Sequence, residues 1–147
     1  VAISAGLAEK CPLPAILVTI SQAITLSYID QSRRYLGTVI CAGPGVSQQS
    51  LVDSAELLNP VPLLAPQRAL GQNPEASMRS GLIYGTAGLL DSLIARIRAD
   101  HPAETLVATG GDTALAILPH CKEQMAYDPH LLSDGMYHIY RLQPGRK

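Results

Sequence analysis

The sequence contains no phenylalanine and no tryptophan; its aromatic side chains are six tyrosines. A core must therefore be filled by Leu, Ile, Val and Ala, which suits helices packed closely on a sheet without identifying one. Charge is scarce as well: charged residues make up 16% of the 147, and the formal net charge is -1. Without a basic surplus there is no electrostatic footprint for nucleic acid, and without an acidic tail there is no solvating role. No apolar run reaches the length of a membrane span. The longest, Ala15 to Ile20, is interrupted by Thr19 and suits a buried strand. No secretory leader is visible at Val1. Because the first residue is Val rather than Met, the true N-terminus is expected upstream.

Cysteine is sparse too. Cys11, Cys41 and Cys121 are far apart, odd in number and form no CxxC. They read as reduced, mostly buried thiols of a cytoplasmic protein. A zinc site needs clustered ligands, and His120 beside Cys121 is the only close pair.

What is present is globular. Apolar residues make up 47% of the chain, and 147 residues suffice for one domain with a real core. Ala2 to Lys10 reads as a short helix, ended by Cys11-Pro12-Leu13-Pro14 because proline cannot continue it. Ala15 to Ile20, Ile24 to Ile29 and Tyr35 to Cys41 read as strands joined by short polar turns, an antiparallel meander. Ile24, Leu26 and Tyr28 alternate with Thr25 and Ser27, the mark of a half-buried strand. A helix is expected over Val46 to Leu58, with Val46, Leu51, Val52, Ala55 and Leu58 towards the core. Asn59 to Gln72 carries three prolines and reads as an irregular connection, with at most one short strand near Val61 to Leu64.

Pro74 to Asp100 is the clearest helix. Asn73 is a good N-cap, Pro74 suits the first helical position, and Glu75 follows in the first turn. Met78, Leu82, Leu89, Leu93 and Ile97 recur at helical spacing. Gly81, Gly85 and Gly88 form a second line, each costing about 1 kcal/mol against Ala, so another backbone is expected to approach there. A strand over Thr105 to Ala108, a helix from Thr113 to Leu118, a short edge strand over Met125 to Tyr127 and a helix from Leu131 to Leu142 complete a single α/β domain over residues 1–147.

Two glycine loops could carry chemistry. Thr109-Gly110-Gly111 lies between a strand and a helix, where backbone can approach a sugar or phosphate. A plain strand-to-helix turn fits the same spacing. Gly43-Pro44-Gly45 before a helix has the same two readings, and it is neither a Walker A nor a dinucleotide fingerprint. Asp91, Asp112 and Asp128 could act as acid/base groups or Mg ligands, with Asp112 also read as a helix cap. His101, His120, His130 and His138 fall mostly at helix ends and read as solvated or capping, and no Ser-His-Asp or Cys-His arrangement can be assembled.

A longer pattern narrows this reading. Leu70-Gly71-Gln72-Asn73-Pro74-Glu75-Ala76-Ser77-Met78-Arg79-Ser80-Gly81, continuing to Gly85, resembles the G-x-N-T-x-x-S-M-x-S-G-x-x-x-G segment of type III pantothenate kinases. Asp91, Ala108-Thr109-Gly110-Gly111, Tyr127-Asp128-Pro129-His130-Leu131 with Gly135, Tyr35-Leu36-Gly37 and Gly43-Pro44-Gly45 follow the family's pattern in the same order over nearly the whole chain.

The resemblance implies a ribonuclease H-like lobe of the sugar-kinase/actin superfamily, a mixed sheet flanked by helices. It implies ATP-dependent phosphorylation of pantothenate, the first step of coenzyme A synthesis. It also implies Mg and a monovalent cation, potassium or ammonium, and a two-lobed homodimer with ATP between the lobes and the helix Pro74–Asp100 near the dimer interface. On that comparison the chain matches the C-terminal lobe. The N-terminal lobe and the family's catalytic base, expected before Val1, fall outside it, so no catalytic base is assigned within the chain.

The same comparison aligns the family's second phosphate motif, D-x-G-T-A-x-T, with Thr19-Ile20-Ser21-Gln22-Ala23-Ile24-Thr25. Thr19 then replaces the monovalent-cation Asp, Ser21 the glycine that admits phosphate, and Gln22 the ATP-contacting Thr. Pro74 replaces the substrate-binding Thr and has no donor. Phosphoryl transfer works by positioning and charge stabilisation. The expectation is a chain without kinase activity alone, with Thr109, Gly110 and Gly111 as the surviving nucleotide contacts. The alternatives are a fragment that needs an upstream lobe, or a binding or dimerisation module that pairs with itself or with an active kinase.

Overall fold

The structure, a computed structural model, describes residues 10–142. The helix expected over Ala2 to Lys10 lies outside the described residues except for Lys10. Five strands form one mixed sheet in the order β3-β2-β1-β4-β5. β1 (Ala15–Ile20), β2 (Ala23–Ile29) and β3 (Tyr35–Ala42) make the expected antiparallel meander. β4 (Thr105–Gly110) returns to pair parallel to β1, and β5 (Ala126–Tyr127) extends the sheet parallel to β4.

The parallel return is made by the long helix α2. It begins as α-helix at Pro74–Ser80, passes through one π-helical turn at Gly81–Gly85, and resumes as α-helix at Thr86–Asp100. Asn73 caps it as expected, its side chain accepting the Ala76 N–H at 2.8 Å. The residues that α2 buries are Met78, Leu82, Ile83, Ala87, Leu90 and Ile94. This corrects the expected line, since Leu89, Leu93 and Ile97 are only partly buried at its flank. The π turn explains the difference. An extra residue in one turn rotates everything after it relative to a constant 3.6-residue period, so one line drawn from Met78 to Ile97 drifts off the core face.

Against that helix face lie Ile16, Val18, Ile20, Ile24 and Leu26 from the sheet. Side chains alternate across each strand, so Ala15, Leu17, Ile29 and Val107 point the other way. They pack with Leu131 at the start of α4 (Leu131–Leu142).

Several expectations are corrected. The helix α1 spans Pro44–Ser54 rather than Val46 to Leu58, and Val46 and Leu51 are 47% and 44% exposed instead of core-facing. Only Pro44 of α1 is buried, because the helix meets the body of the domain at its first residue and lies along the rim. No strand forms at Val61 to Leu64. That connection is instead stapled to α2: Arg79 donates to the Leu64 and Ala65 carbonyls at 2.7 and 3.1 Å, and the Tyr84 hydroxyl donates to Pro66 at 2.6 Å. Side-chain donors hold a segment that proline bars from a ladder.

The helix α3 runs Asp112–Ile117, and its N-cap is Gly111 without a side-chain bond. Asp112 is therefore not a cap; it stands one residue inside, favourably placed for the helix dipole only. No second backbone meets the glycines of α2 among the described residues: a Cβ built on Gly81, Gly85 or Gly88 finds nothing within 4 Å. No helix among the described residues is long and apolar enough to cross a membrane.

Asp91 on α2 fastens the far end of the domain. Its carboxylate accepts the backbone N–H groups of Lys122 and Glu123 at 2.9 to 3.1 Å, across more than thirty residues of sequence. Replacing Asp91 by Ala leaves both donors without a partner and should cost about 2 kcal/mol, read as a lower urea midpoint at unchanged slope.

Candidate functional site

The C-terminal ends of the parallel neighbours β1 and β4 lie side by side, with Thr19 opposite Thr109 and Ile20 opposite Gly110. In an open mixed sheet this is the edge at which ligands approach. On its other side Thr19 pairs with Thr25 of β2. Partners in register share a face, so Thr109, Thr19 and Thr25 form a row of hydroxyl-bearing residues across three strands.

Gly110 closes the gap between β1 and the loop. Its φ is +155°, and a Cβ there would stand 2.3 Å from the Ile20 carbonyl oxygen and 2.8 Å from the Ala114 Cβ. Only glycine accommodates both the dihedral and the approach. The loop is held from below by Tyr127, whose hydroxyl donates to the Gly110 carbonyl at 2.6 Å, and by the Asp128 N–H, which donates to Ala108 at 2.9 Å.

The hairpin between β1 and β2 turns on Ser21 and Gln22, both exposed. Ser21 donates to the Ala23 carbonyl twice, from its amide at 3.2 Å and from its hydroxyl at 3.2 Å. Gly43 comes in from the end of β3 and donates its N–H to the Gln22 carbonyl at 2.7 Å. A Cβ on Gly43 would lie 2.0 Å from the Ser21 carbonyl oxygen and 2.7 Å from that of Gln22. The Gly43-Pro44-Gly45 loop is thus packed against the turn. The donors at this edge that an anion would need from Ser21 and Gly43 are spent inside the protein.

The structure brings Thr19, Ser21, Gln22, Gly43, Thr109 and Gly110 to one edge, with Gly111 following. It does not bring Pro74 there from within the chain. Pro74 instead lines an apolar groove of about 480 Å³ between α1 and α2, with Ser47, Leu51, Leu58, Met78 and Gly81. Asn73, one residue earlier, faces a separate polar hollow of about 660 Å³ with Arg68, Gln72 and Arg79.

The three aspartates have separate surroundings. Asp91 is the fastener described above. Asp128 accepts the His130 N–H at 2.9 Å and pairs with Lys10 at 3.4 Å. Asp112 is exposed at the start of α3. His101 ends α2, its N–H donating to Ile97 at 2.7 Å, with its ring 5.0 Å from that of Tyr28. His120 stands edge-on to Tyr84 at 5.2 Å. Among the described residues no group of three or more His, Cys, Asp or Glu side chains could hold a metal ion. Burial, with a smaller contribution from Asp91, pushes the Cys121 thiol up to about 11.

The contribution of Gly43 and Tyr127 to this edge is not visible in spacing. Their partners lie 21 and 17 residues away, and only the pairing of strands brings them together.

A family model described as type III pantothenate kinase matches residues 1–96. The chain is 36% identical over 133 residues to type III pantothenate kinase 1 of Symbiobacterium thermophilum, covering 88% of this chain and 49% of that one. It is 34% identical over 139 residues to the type III pantothenate kinase of Nocardia farcinica, covering 91% and 52%. The chain therefore spans about half the length of the curated relatives it matches.

Among solved structures, a Campylobacter jejuni protein assigned to the Baf family of transcriptional activators superposes with a TM-score of 0.64 at 21% identity, over 93% of this chain and 61% of that one. The activator of the 2-hydroxyisocaproyl-CoA dehydratase from Clostridium difficile, solved with bound ADPNP, gives 0.54 at 11%, over 99% and 70%. These two likenesses speak to fold alone. The fold is a mixed sheet flanked by helices, as expected from the sequence.

Gly43→Ala drives a methyl group into two backbone carbonyls and should destabilise by about 2–4 kcal/mol, whereas Gly45→Ala, with nothing within 4 Å, should change stability by under about 0.5 kcal/mol. Urea unfolding of the pair reads the difference. A thiol at about 11 is protonated at pH 8, so alkylation of Cys121 in the folded chain should be about a hundredfold slower than in the denatured chain, followed by mass spectrometry.

Proposed function

Because the chain belongs to the type III pantothenate kinase family, we propose that it is a lobe of that kind whose phosphate-handling edge has closed on itself, and that alone it transfers no phosphoryl group from ATP to pantothenate. The observation that carries this is the Ser21–Gln22 turn. Its Ser21 amide and hydroxyl donate back to Ala23, and the neighbouring Gly43 amide donates to Gln22. A phosphate is held by outward-pointing backbone amides and by fixed charge. At this edge the Ser21 and Gly43 amides are occupied, and β1, β2 and β4 offer hydroxyls instead of carboxylates.

The groups that the family brings, ATP with Mg and a potassium or ammonium ion, do not fit this donor set. Thr19 has no charge to offer a cation. Gln22 is engaged through its carbonyl, and Pro74 has no N–H to donate to a substrate. Gly110 and Gly111 keep a loop a nucleotide could approach, but the Gly110 carbonyl is already bonded to Tyr127. These substitutions lie inside the chain, so they support a loss of catalysis whatever segment accompanies it.

A second reading, a dimerisation module of the cytoplasm, is favoured by the surface of α2. A Cβ built on Gly81, Gly85 or Gly88 meets nothing within 4 Å among the described residues, and beside them runs the apolar groove lined by Pro74 and Met78. Helices approach closely where side chains are small. We assign this face to a second copy of the chain or to the equivalent helix of an active kinase, which would supply the missing catalytic groups.

Titration calorimetry with Mg-ATP, in potassium and with pantothenate present, tests the main reading. The expected result is a dissociation constant no tighter than about 1 mM. Micromolar binding that pantothenate tightens would show that Thr19, Gln22 and Pro74 have been compensated, and would sink the proposal.

A further inference from the structure

The edge at the end of β1 differs from the family's pattern in charge as well as in shape. Resting on the reading of this edge as the family's phosphate edge, we infer that the chain is indifferent to potassium and ammonium, because its cation position has become a neutral hydroxyl floor.

The donor set carries the argument. Thr19 stands where the resemblance puts the cation's carboxylate. In register on either side of it are Thr109 and Thr25, which are also neutral. None of the residues of β1, β2 or β4 is Asp or Glu. The turn beyond β1 adds Ser21 and Gln22, which are neutral as well. A cation that leaves water must recover its hydration from fixed charge or from many oxygen dipoles at once. A short row of hydroxyls offers dipoles without charge. The first carboxylate along the chain after the Gly110–Gly111 loop is Asp112, exposed at the start of α3.

The change has a second consequence. A carboxylate at the floor would repel an arriving phosphate unless a cation stood between them. With Thr19 there is no such repulsion, so whatever anion this edge meets, it meets without a monovalent ion as intermediary.

The test is the melting temperature of the whole chain in potassium, ammonium and choline chloride at equal ionic strength. For the unaltered chain the three values should agree within about 1 °C, since a ligand that does not bind the native state adds no stability. Thr19→Asp should melt about 3 °C or more higher in potassium or ammonium than in choline, and Thr19→Asn, neutral and of similar size, should not.

A potassium-specific rise in the unaltered chain overturns the inference. If that rise vanishes in Asp112→Asn, the carboxylate has moved to α3 and the neutral floor is equally refuted. Absence of any response in Thr19→Asp overturns the assignment of Thr19 as the cation position. Should Thr19→Asp fail to fold, thallium(I) resonance broadening on the unaltered chain decides: none is expected, and broadening that potassium competes away refutes the inference. The outcome is separable from the function proposed above. Micromolar ATP binding of equal strength in potassium and choline would end the closed-edge reading and leave cation indifference standing. A potassium-dependent melt without ATP binding would do the reverse.

Discussion

The rest of the structure depends on the parallel pairing of β1 with β4, and that pairing depends on one missing Cβ. Gly110 lies against the Ile20 carbonyl at a distance that no side chain tolerates, in a dihedral region that L residues avoid. If β4 stood further out, Thr109 would leave the row it makes with Thr19 and Thr25, and Tyr127 could not reach the Gly110 carbonyl. The strands are short and uncharged, and their order places the two ends that matter in the middle of the sheet. Whatever this edge does follows from that close approach.

The long helix makes the approach possible and shows a different use of glycine. Its π turn spans Gly81 to Gly85, and it re-phases the helix so that Ile83, Ala87, Leu90 and Ile94 all face the sheet. Glycine there is not demanded by any contact within the chain, in contrast to Gly43 and Gly110. Three exposed glycines lower helix propensity there although a Cβ at each would fit among the described residues. The physical distinction is whether a built Cβ collides, and it separates the glycines that hold this fold, Gly43 and Gly110, from those that no contact among the described residues requires.

Much of the fold was legible because its signals are local. The meander β1–β3 follows from alternation in Ile24 to Ile29, and the start of α2 follows from Asn73-Pro74-Glu75, whose cap bond is present. What was not legible depends on phase or on distance. The core line of α2 was drawn with a constant period, which one π turn breaks. Val46 and Leu51 were assigned inward by spacing, yet periodicity cannot tell a core from a rim that faces something else. The family segments placed Thr19, Gln22 and Pro74 by position, and the structure separates Pro74 from the other two. The closure of the Ser21–Gln22 turn by Gly43 was invisible, since it joins residues that no motif links.

Two physical changes coincide at the end of β1, and they need not have arisen together. One is steric and geometric: Ser21 folds its donors onto Ala23, and Gly43 is packed against the turn. The other is electrostatic: the strand ends carry hydroxyls and no carboxylate. A phosphate site tolerates neither well, because it needs free amides for shape and fixed charge for stabilisation. Geometry alone could be relaxed by an arriving ligand, at the modest cost of two hydrogen bonds on an exposed turn. Charge cannot be recovered in that way, since no rearrangement of Thr19, Thr25 and Thr109 creates a carboxylate. On the reading proposed above, the neutral strand ends are therefore the deeper of the two features. A closed turn can be reopened by binding, whereas a neutral floor, if this edge is the family's phosphate edge as proposed, would call for different chemistry.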